Sequence, residues 1–321
     1  MSPLWHQFYK PSQLRGWSRR KDELQNERLG DSTAFFDMTT THHSSFSSQK
    51  IGIIGFECDE GVSRNQGRTG AAQGPQILRP FLYNLPIHKP RDLIDCGNIT
   101  CQNKNLEAAQ AALSQAVQHM HQNNILPCVI GGGHETAWGH FQGIQATHSE
   151  KKIGIINFDA HFDIRALHQR QGHSGTPFLQ IQELLQSKNK NFSYMCLGIQ
   201  ESSNTQSLFQ KATQLNIQYT LAHEFENLCF HNLNQFIKSC DGIYLSICLD
   251  VFNAANAPGV SSPQPFGVQP SSFLKVLRHI LEQSILFGVD IVELSPKHDT
   301  NNLTAKLASQ IFYNIFHFMN S

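Results

Sequence analysis

Asp159, His161 and Asp163 stand at alternate positions after an apolar run that begins at Ile153. In an extended chain alternate side chains point to the same face, so these three would converge. Unpaired buried charges are costly, whereas carboxylates and an imidazole together are ordinary ligands of divalent transition metals. The motif therefore predicts half of a metal site. The alternative is a strand end whose polar residues simply face water.

Three other segments place polar side chains where an apolar run ends. His134 follows a run and three glycines, Cys248 and Asp250 are again two residues apart, and Glu293 ends the last run. In open α/β sheets ligands bind at the carboxyl ends of the strands. Six candidate ligands suit two divalent ions about 3.5–4 Å apart, which would activate a shared hydroxide for hydrolysis at carbon or phosphorus. These candidates are His134, Asp159, His161, Asp163, Cys248 and Asp250.

Apolar runs alternate with amphipathic segments from residue 50 to the end of the chain. This alternation predicts an α/β fold with a central, mostly parallel sheet and helices on both faces. The strand before His134 is expected to lie beside the strand before Asp159. No linker divides the region, so residues 50–321 are predicted to form one domain and residues 1–49 a partly irregular N-terminal arm. The expected strands cover 50–56, 91–96, 125–130, 153–163, 194–199, 243–250 and 287–294.

The composition argues against several classes of partner. Lys and Arg together number 25, as do Asp and Glu, so no net charge favours nucleic acid or an anionic membrane. No apolar run is long enough to span a bilayer, and the first residues lack the pattern of a secretory signal. The eight cysteines favour reduced thiols over a disulfide framework, because they form no C-x-x-C pair. We therefore predict a cytoplasmic protein that acts on a small molecule.

Four segments together resemble the signature blocks of the ureohydrolases, the arginase–agmatinase–formimidoylglutamase superfamily, over about residues 50–315. The segments are Gly131–Glu135, Asp159–Asp163, Ser246–Asp250 and Val292–Pro296. The three glycines before His134, the loop 64–75 and the segment 174–177 are most similar to the formimidoylglutamase branch. The resemblance implies a three-layer αβα, arginase-like fold and two Mn²⁺ ions per subunit. Members of this superfamily often assemble into trimers or hexamers, so a homo-oligomer is expected.

The resemblance also implies a role for each residue of the site. His134 and Asp163 would bind one ion, His161 and Asp250 would bind the other, and Asp159 would bridge them. Glu293 would accept hydrogen bonds from the guanidinium or formamidinium of the substrate; its alternative is a salt bridge that closes a strand end. Asp163 or a nearby histidine would move the proton to the leaving amine. His168 and His173 are the candidates because an imidazole titrates near neutral pH, and the alternative is that each is a surface histidine of the loop.

Cys248 departs from the family pattern, in which an aspartate is the second bridging carboxylate. Cysteine binds metals as a thiolate, a soft ligand that favours Zn²⁺ or Fe²⁺ over Mn²⁺. Three outcomes are open. Cys248 could bridge as a thiolate, it could leave one weak or vacant position so that a single ion binds, or the protein could have lost activity while keeping the fold.

Two arginines bear on the choice of substrate. Formiminoglutamate carries two carboxylates and agmatine carries none, and the arginine fork is the best bidentate partner of a carboxylate. Arg165 follows the last ligand by two residues and Arg68 lies on a glycine-containing loop, so both are candidate anchors, although each could be a solvated surface residue. We predict hydrolysis of N-formimino-L-glutamate to L-glutamate and formamide in histidine degradation, by a metal-activated hydroxide. The alternatives are another ureohydrolase acting on a guanidino compound and a metal-poor, non-catalytic homologue.

Overall fold

A ten-stranded sheet runs through the centre of the described chain. The structure is a computed structural model that describes residues 3–12, 18, 21–24, 26–40, 46–88 and 92–319. The strands are β1 (Tyr9–Lys10), β2 (Ala34–Phe35), β3 (Lys50–Glu57), β4 (Leu93–Thr100), β5 (Ile125–Ile130), β6 (Ile153–Phe158), β7 (Ser193–Ile199), β8 (Gln218–Leu221), β9 (Gly242–Cys248) and β10 (Leu286–Val292).

Helices connect most of these strands. The α-helices are α1 (Leu29–Ser32), α2 (Glu60–Arg64), α3 (Gly74–Tyr83), α4 (Leu106–Gln122), α5 (Thr136–Thr147), α6 (Pro177–Ser187), α7 (Gln206–Gln214), α8 (Phe230–Lys238), α9 (Pro270–Gln283) and α10 (Leu303–Phe318). Short 3-10 helices cover Leu4–Phe8, Ala71–Gln73, Glu201–Ser203, Ala222–Asn227, Leu249–Val251 and Pro296–His298.

The strand order is β1-β4-β3-β5-β10-β9-β6-β7-β8, with β2 also paired to β4. Every pairing is parallel except that of β1 with β4. Two hydrophobic cores flank the sheet. One contains side chains of α3, α8, α9 and α10, and the other contains side chains of α4, α5, α6 and α7. The predicted three-layer αβα fold is confirmed.

All residues of β5, β6, β9 and β10 are buried, because helices cover both faces of these central strands. This burial explains why each strand is a continuous apolar run without alternation. One expectation about their order is wrong. The strand before His134, β5, does not lie beside β6, since β10 and β9 separate them by about 14 Å at the usual spacing between strands.

The described part of the N-terminal arm packs against the edge of the sheet. Strands β1 and β2 both pair with β4, the side chain of Trp5 is buried, and Ser12 Oγ donates to Asp95 Oδ2 over 2.7 Å. Other parts of the predicted arm, among them 13–17 and 41–45, lie outside the described residues. The division of the chain at residue 49 stays a prediction. In the described residues, no helix combines the length and apolar character needed to cross a membrane.

Two histidines lie at the carboxyl-terminal ends of helices α4 and α5. The rings of His121 and His148 meet edge to face at 4.8 Å, and His148 stacks on Phe287 at 4.1 Å. The Nε2 atoms of both histidines are buried, and neither has a hydrogen-bond partner among the described residues. Burial lowers the pKa of His121 to about 3, and repulsion from His148 and His140 adds to this effect. His121 is therefore neutral in the native protein at neutral pH.

We expect His121 to make the free energy of unfolding decrease as the pH falls. Below its ordinary pKa of 6.5 the unfolded chain binds a proton at His121 and the native state does not. The free energy of unfolding should fall by roughly 1 kcal/mol for each pH unit between these two values, and this contribution is fully present only above pH 6.5. His121→Phe keeps the ring and removes the proton site. Urea unfolding at about pH 7 and pH 5 should show a smaller loss in the variant than in wild type.

The exposed His231 provides the matched control, because His231→Phe removes a histidine that lies on the surface of α8. Equal pH dependence in His121→Phe and wild type would show that the native His121 is free to bind the proton.

Candidate metal centre

Asp159 lies between two histidines at the carboxyl ends of the central strands. Its Oδ2 is 2.9 Å from His134 Nδ1, and its Oδ1 is 3.4 Å from His161 Nδ1. Asp163 Oδ2 approaches the same His134 nitrogen at 3.0 Å, and Asp250 Oδ2 lies 3.1 Å from His161 Nδ1. Each oxygen of Asp159 therefore faces a different set of potential ligands, which is the arrangement of a carboxylate that bridges two ions.

The distances between these atoms match those of ligands that share an ion. Two ligands at right angles, each about 2.1 Å from one ion, lie about 3 Å apart. Two groups of side chains, His134–Asp159–Cys248 and Asp159–His161–Asp250, each bring their ligand atoms within 4.8 Å of one another. Four carboxylate or imidazole ligands and one sulfur thus fit a pair of divalent ions, and Asp159 belongs to both groups.

The tautomer of His134 follows from its other neighbours. The carboxylate of Asp290 can only accept, so Ser246 Oγ donates its single hydrogen to Asp290 Oδ1 over 2.6 Å. Ser246 Oγ must then accept from His134 Nε2, which lies 2.9 Å away. In the neutral imidazole that binds a metal, the buried Nδ1 atom of His134 then carries the lone pair. That lone pair faces Asp159 and Asp163, as a metal ligand requires.

Asp290 is completely buried and holds this side of the site in place. It accepts hydrogen bonds from Ser246 and from the hydroxyl of Tyr244, and its Oδ2 lies 3.0 Å from His140 Nδ1. Asn157 has the same function for Asp159, since its amide donates to Asp159 Oδ2 over 3.1 Å. Neither supporting residue was predicted. For Asn157 the only sequence signal was its position two residues before the predicted ligand Asp159. Ser246, which donates to Asp290, likewise stands two residues before the predicted ligand Cys248.

The glycines before His134 allow its turn to pass close to another loop. A Cβ added to Gly132 would lie 1.6 Å from the carbonyl oxygen of Cys58, so only glycine fits there. Gly133 N–H donates to that same carbonyl, and Glu293 N–H donates to the carbonyl of Gly132. This turn carries His134 from the end of β5 over the end of β10 toward the side chains that follow β6.

Asp163 reaches the site by a route that the sequence argument did not foresee. Strand β6 ends at Phe158, so the alternation expected for Asp159, His161 and Asp163 does not apply. Asp163 has φ of +48°, in the left-handed region that a residue with a side chain seldom adopts. The three side chains do converge, as predicted, but a turn and not a strand brings them together. Glu293, with φ of +70°, shows the same departure from regular backbone.

Electrostatics compensate for the burial of these charges. Burial opposes a charge on His134, but Asp159 and Asp163 outweigh it and raise the pKa of His134 well above its ordinary value. Asp250 and Asp159 raise the pKa of His161 in the same way against burial. Burial and repulsion from Asp159 raise the pKa of Asp163 to about 6. The cluster therefore attracts cationic charge, which protons supply when no metal is bound.

Cys248 ends β9 and points into the same site. Its side chain is 1 % exposed, and it belongs to the ligand group of His134 and Asp159. Burial and the carboxylates of Asp159, Asp250 and Glu293 raise the pKa of its thiol well above the ordinary value. Without a metal, Cys248 is a neutral thiol.

A cavity of about 540 Å³ opens over these ligands, a volume typical of small-molecule sites. Glu293 lies in its wall and is buried. Its Oε1 accepts the N–H of His134 over 3.0 Å, whereas Oε2 has no hydrogen-bond partner among the described residues. Burial, together with repulsion from Glu135 and Asp250, raises the pKa of Glu293 well above its ordinary value. Oε2 is thus available to accept hydrogen bonds from a ligand in the cavity.

Both predicted anchors for carboxylates also line the cavity. Arg165 is exposed, and its guanidinium makes no hydrogen bond or ion pair with the described residues. Arg68 is already engaged, because its Nε and one terminal nitrogen donate to the carbonyls of Ser261 and Val260 over 3.1 and 2.6 Å. Of the two, Arg165 is the freer cation. Sequence reasoning missed the other polar residues of the wall, which are Asn65, Gln66, Ser174, Ser203, Ser261 and Ser262.

His173 lies apart from this wall. Its ring nitrogen Nδ1 accepts a hydrogen bond from the backbone N–H of Gly175 over 3.1 Å, and the backbone N–H of His173 donates to Thr176 Oγ1. The side chain is buried and is not among the residues that line the cavity. Its predicted role in proton transfer stays a prediction, and this placement gives it no support.

Comparison with known proteins agrees with this geometry. The arginase family model matches residues 49–317. Formimidoylglutamase from Legionella pneumophila is 39% identical over 310 residues, which cover 94% of this chain and 95% of the relative. The crystal structure of formimidoylglutamase from Bacillus subtilis superposes with a TM-score of 0.80 at 21% identity over 94% of this chain and 95% of that one. The crystal structure of formiminoglutamase from Trypanosoma cruzi, solved with Mn²⁺, superposes with a TM-score of 0.78 at 24% identity. The match covers 91% of this chain and 97% of that one.

The three-layer αβα fold and the carboxylate–imidazole centre at the ends of its strands define the class of metal-dependent hydrolases. The family model matches most of the length of this chain, and this match shows which family the chain belongs to. The chain belongs to the arginase family, and the predicted resemblance is confirmed.

The network behind His134 generates a testable prediction. Asp290→Asn leaves one acceptor oxygen where Tyr244 and Ser246 both donate, so Ser246 can no longer fix the tautomer of His134. We expect metal affinity to fall about 10- to 100-fold, as is usual when a residue that supports a ligand is lost. Calorimetric titration of the metal-free protein with Mn²⁺ measures this change in affinity.

The control is Tyr244→Phe, which removes one donor to Asp290 but leaves the contacts among Asp290, Ser246 and His134 intact. It should bind Mn²⁺ nearly as wild type does. Unchanged affinity in a folded Asp290→Asn protein would contradict the assigned tautomer.

Proposed function

We propose that the protein hydrolyses N-formimino-L-glutamate to L-glutamate and formamide, a reaction of histidine degradation. Water adds to the formimino carbon, the bond from that carbon to the glutamate nitrogen breaks, and the nitrogen takes up a proton. The relative from Legionella pneumophila, 39% identical along nearly the whole chain, supports this substrate. In the structure, the observation that carries the proposal is the cavity over the candidate metal ligands. A Glu293 oxygen and the Arg165 guanidinium line it, and neither has a hydrogen-bond partner in the described part of the chain.

The cofactor is proposed to be a pair of divalent ions, with Mn²⁺ as the ion found in the Trypanosoma cruzi structure. The first ion would be held by His134, Asp159 and Asp163, and the second by Asp159, His161 and Asp250. Bound ions supply the Lewis acidity that lowers the pKa of a water and makes it nucleophilic at neutral pH. The donor set fits them, since the buried Nδ1 of His134 has no hydrogen-bond partner among the described residues.

Glu293 would orient the formimino group. Its Oε1 is fixed by the N–H of His134, so Oε2 accepts from the N–H groups of the substrate. These hydrogen bonds hold the formimino group in its protonated, more electrophilic form, because a buried carboxylate interacts strongly with the positive charge shared by its two nitrogens.

Asp163 would carry the proton. Its Oδ2 faces His134 and its side chain lines the cavity, so its other oxygen would take the proton from water and pass it to the leaving nitrogen.

Arg165 would bind a carboxylate of the glutamate portion. Its free guanidinium can form two parallel hydrogen bonds with a carboxylate, and no protein group competes for it among the described residues. Arg68, with two nitrogens already bound to carbonyls, would play a smaller part in substrate binding. The other elements of the proposal are a cytoplasmic location and a homo-oligomeric assembly.

The first test compares turnover of formiminoglutamate, arginine and agmatine by the Mn²⁺-loaded protein. We expect selective hydrolysis of formiminoglutamate, with formamide and glutamate as products. Preference for arginine or agmatine would favour an enzyme for guanidino compounds, and absence of turnover on all three would favour a non-catalytic homologue.

Arg165→Glu should lower kcat/KM for formiminoglutamate on the order of 100-fold, mainly through KM, because a charge-assisted carboxylate contact becomes a repulsion. Arg170→Glu, a charge reversal at an exposed arginine of the same loop, is the matched control and should change kcat/KM little. Equal losses in the two variants would refute the assignment of Arg165 as a carboxylate anchor.

Glu293→Gln should reduce kcat by roughly 100-fold or more, since the amide has only one acceptor oxygen and lacks the negative charge that stabilises the protonated formimino group. Its size is preserved, so Mn²⁺ content measured by mass spectrometry should not change. A variant that keeps wild-type kcat would exclude Glu293 from the reaction.

A further inference from the structure

The two groups of candidate ligands differ in chemical character. His161 and Asp250, with Asp159, offer one nitrogen and carboxylate oxygens only. His134 and Asp159 are instead grouped with the sulfur of Cys248. Oxygen and imidazole ligands suit Mn²⁺, whereas a thiolate favours softer ions such as Zn²⁺. The asymmetry lies in this chain's own residues.

We infer that the centre is built for two different ions, with Zn²⁺ bound by His134, Asp159 and the thiolate of Cys248, and Mn²⁺ bound by Asp159, His161 and Asp250. The inference rests on the metal site assumed in the proposed function and specifies which ion each half takes. Asp163, 3.0 Å from His134 Nδ1, supplies a fourth ligand on the zinc side. Three protein ligands with a further oxygen give the four-coordinate sets that Zn²⁺ adopts.

The position of Cys248 supports a ligand and not a bystander. Its side chain lies in the wall of the cavity above the site, although it is almost completely buried. It ends β9, and the backbone of Cys248 is extended, with φ of −80° and ψ of 123°. Asp250 follows within a 3-10 helix, so Cys248 and Asp250 both present their side chains to the site from one strand end.

Zinc binding changes the protonation state of Cys248. The proton leaves Cys248 when zinc binds, because zinc ligates thiolate and not thiol, and it passes to solvent.

The decisive measurement is X-ray absorption at both metal edges on the full-length protein. Metal-free protein is supplied with one equivalent of Zn²⁺ and an excess of Mn²⁺, since sites of this kind generally bind Zn²⁺ more tightly and unlimited zinc would fill both positions. We expect a zinc–sulfur distance of about 2.3 Å at the zinc edge and only nitrogen and oxygen neighbours at the manganese edge. A zinc edge without a sulfur neighbour overturns the inference, and this measurement needs no variant.

Cobalt offers an optical version of the experiment. Co²⁺ bound to thiolate gives an intense sulfur-to-metal charge-transfer band in the near ultraviolet. That band should appear in wild type and disappear in Cys248→Asp. Cys240→Ser, at the opposite end of β9, should keep the band, because Cys240 precedes the strand and lies far from the carboxyl ends. Loss of the band in Cys240→Ser, or its persistence in Cys248→Asp, would assign the sulfur ligand elsewhere.

Competition gives the size of the effect. In Cys248→Asp the preference of the site for Zn²⁺ over Mn²⁺ should fall by at least about tenfold, measured as the ratio of bound ions at fixed free concentrations. These outcomes are independent of turnover. Sulfur coordination without hydrolysis of formiminoglutamate would refute the proposed function alone, and hydrolysis with oxygen and nitrogen neighbours only would refute this inference alone.

Discussion

The buried carboxylate of Asp159 is the constraint on which the rest of the site depends. It is completely buried, and its two oxygens face two different imidazoles. A charge in that position is tolerated only if cations or hydrogen-bond donors surround it. Asn157 donates to one oxygen, and the N–H of His161 donates to the other over 2.8 Å. The remaining features of the site serve to bring positive charge to this carboxylate.

The layers and the seven longer strands could be predicted, whereas the short strands β1, β2 and β8 were not among the expected ones. The apolar runs at 125–130, 153–158, 242–248 and 286–292 are unbroken because helices bury both faces of the sheet, and such runs are visible in a sequence. The order of the strands is not visible, since it depends on where the chain crosses. Consequently β5 was placed beside β6, although two strands intervene.

The site was predictable in its ligands and not in its supporting contacts. Acidic and histidine residues at strand ends identify candidate ligands whatever the exact backbone, which explains why Asp163 was found although the strand ends at Phe158. The hydrogen bond from Ser246 to Asp290 joins residues 44 positions apart, so only the pairing of β9 with β10 reveals it. His173 is a different case, because a histidine near a motif in the sequence need not line the cavity, and its role in proton transfer stays a prediction.

The candidate metal ligands and the proposed substrate anchors lie in different parts of the molecule. The candidate ligands and their supports come from buried strand ends, where neighbouring strands and helices fix each side chain. Arg68 and Arg165, the proposed anchors, come from exposed loops above the cavity. Exposed loop residues can change without disturbing the core, so the proposed anchors can vary while the candidate ligands stay in place.

The position of β10 has a consequence for how the protein is made. Among the described residues this strand is the last in sequence, yet it lies in the middle of the sheet between β5 and β9. Until the ribosome has translated Leu286–Val292, the edges that β5 and β9 will share with this strand have no partner. The centre of the sheet therefore assembles only after the carboxyl-terminal segment has emerged. Until then, the nascent chain exposes two strand edges, the kind of surface on which chaperones act and aggregates begin.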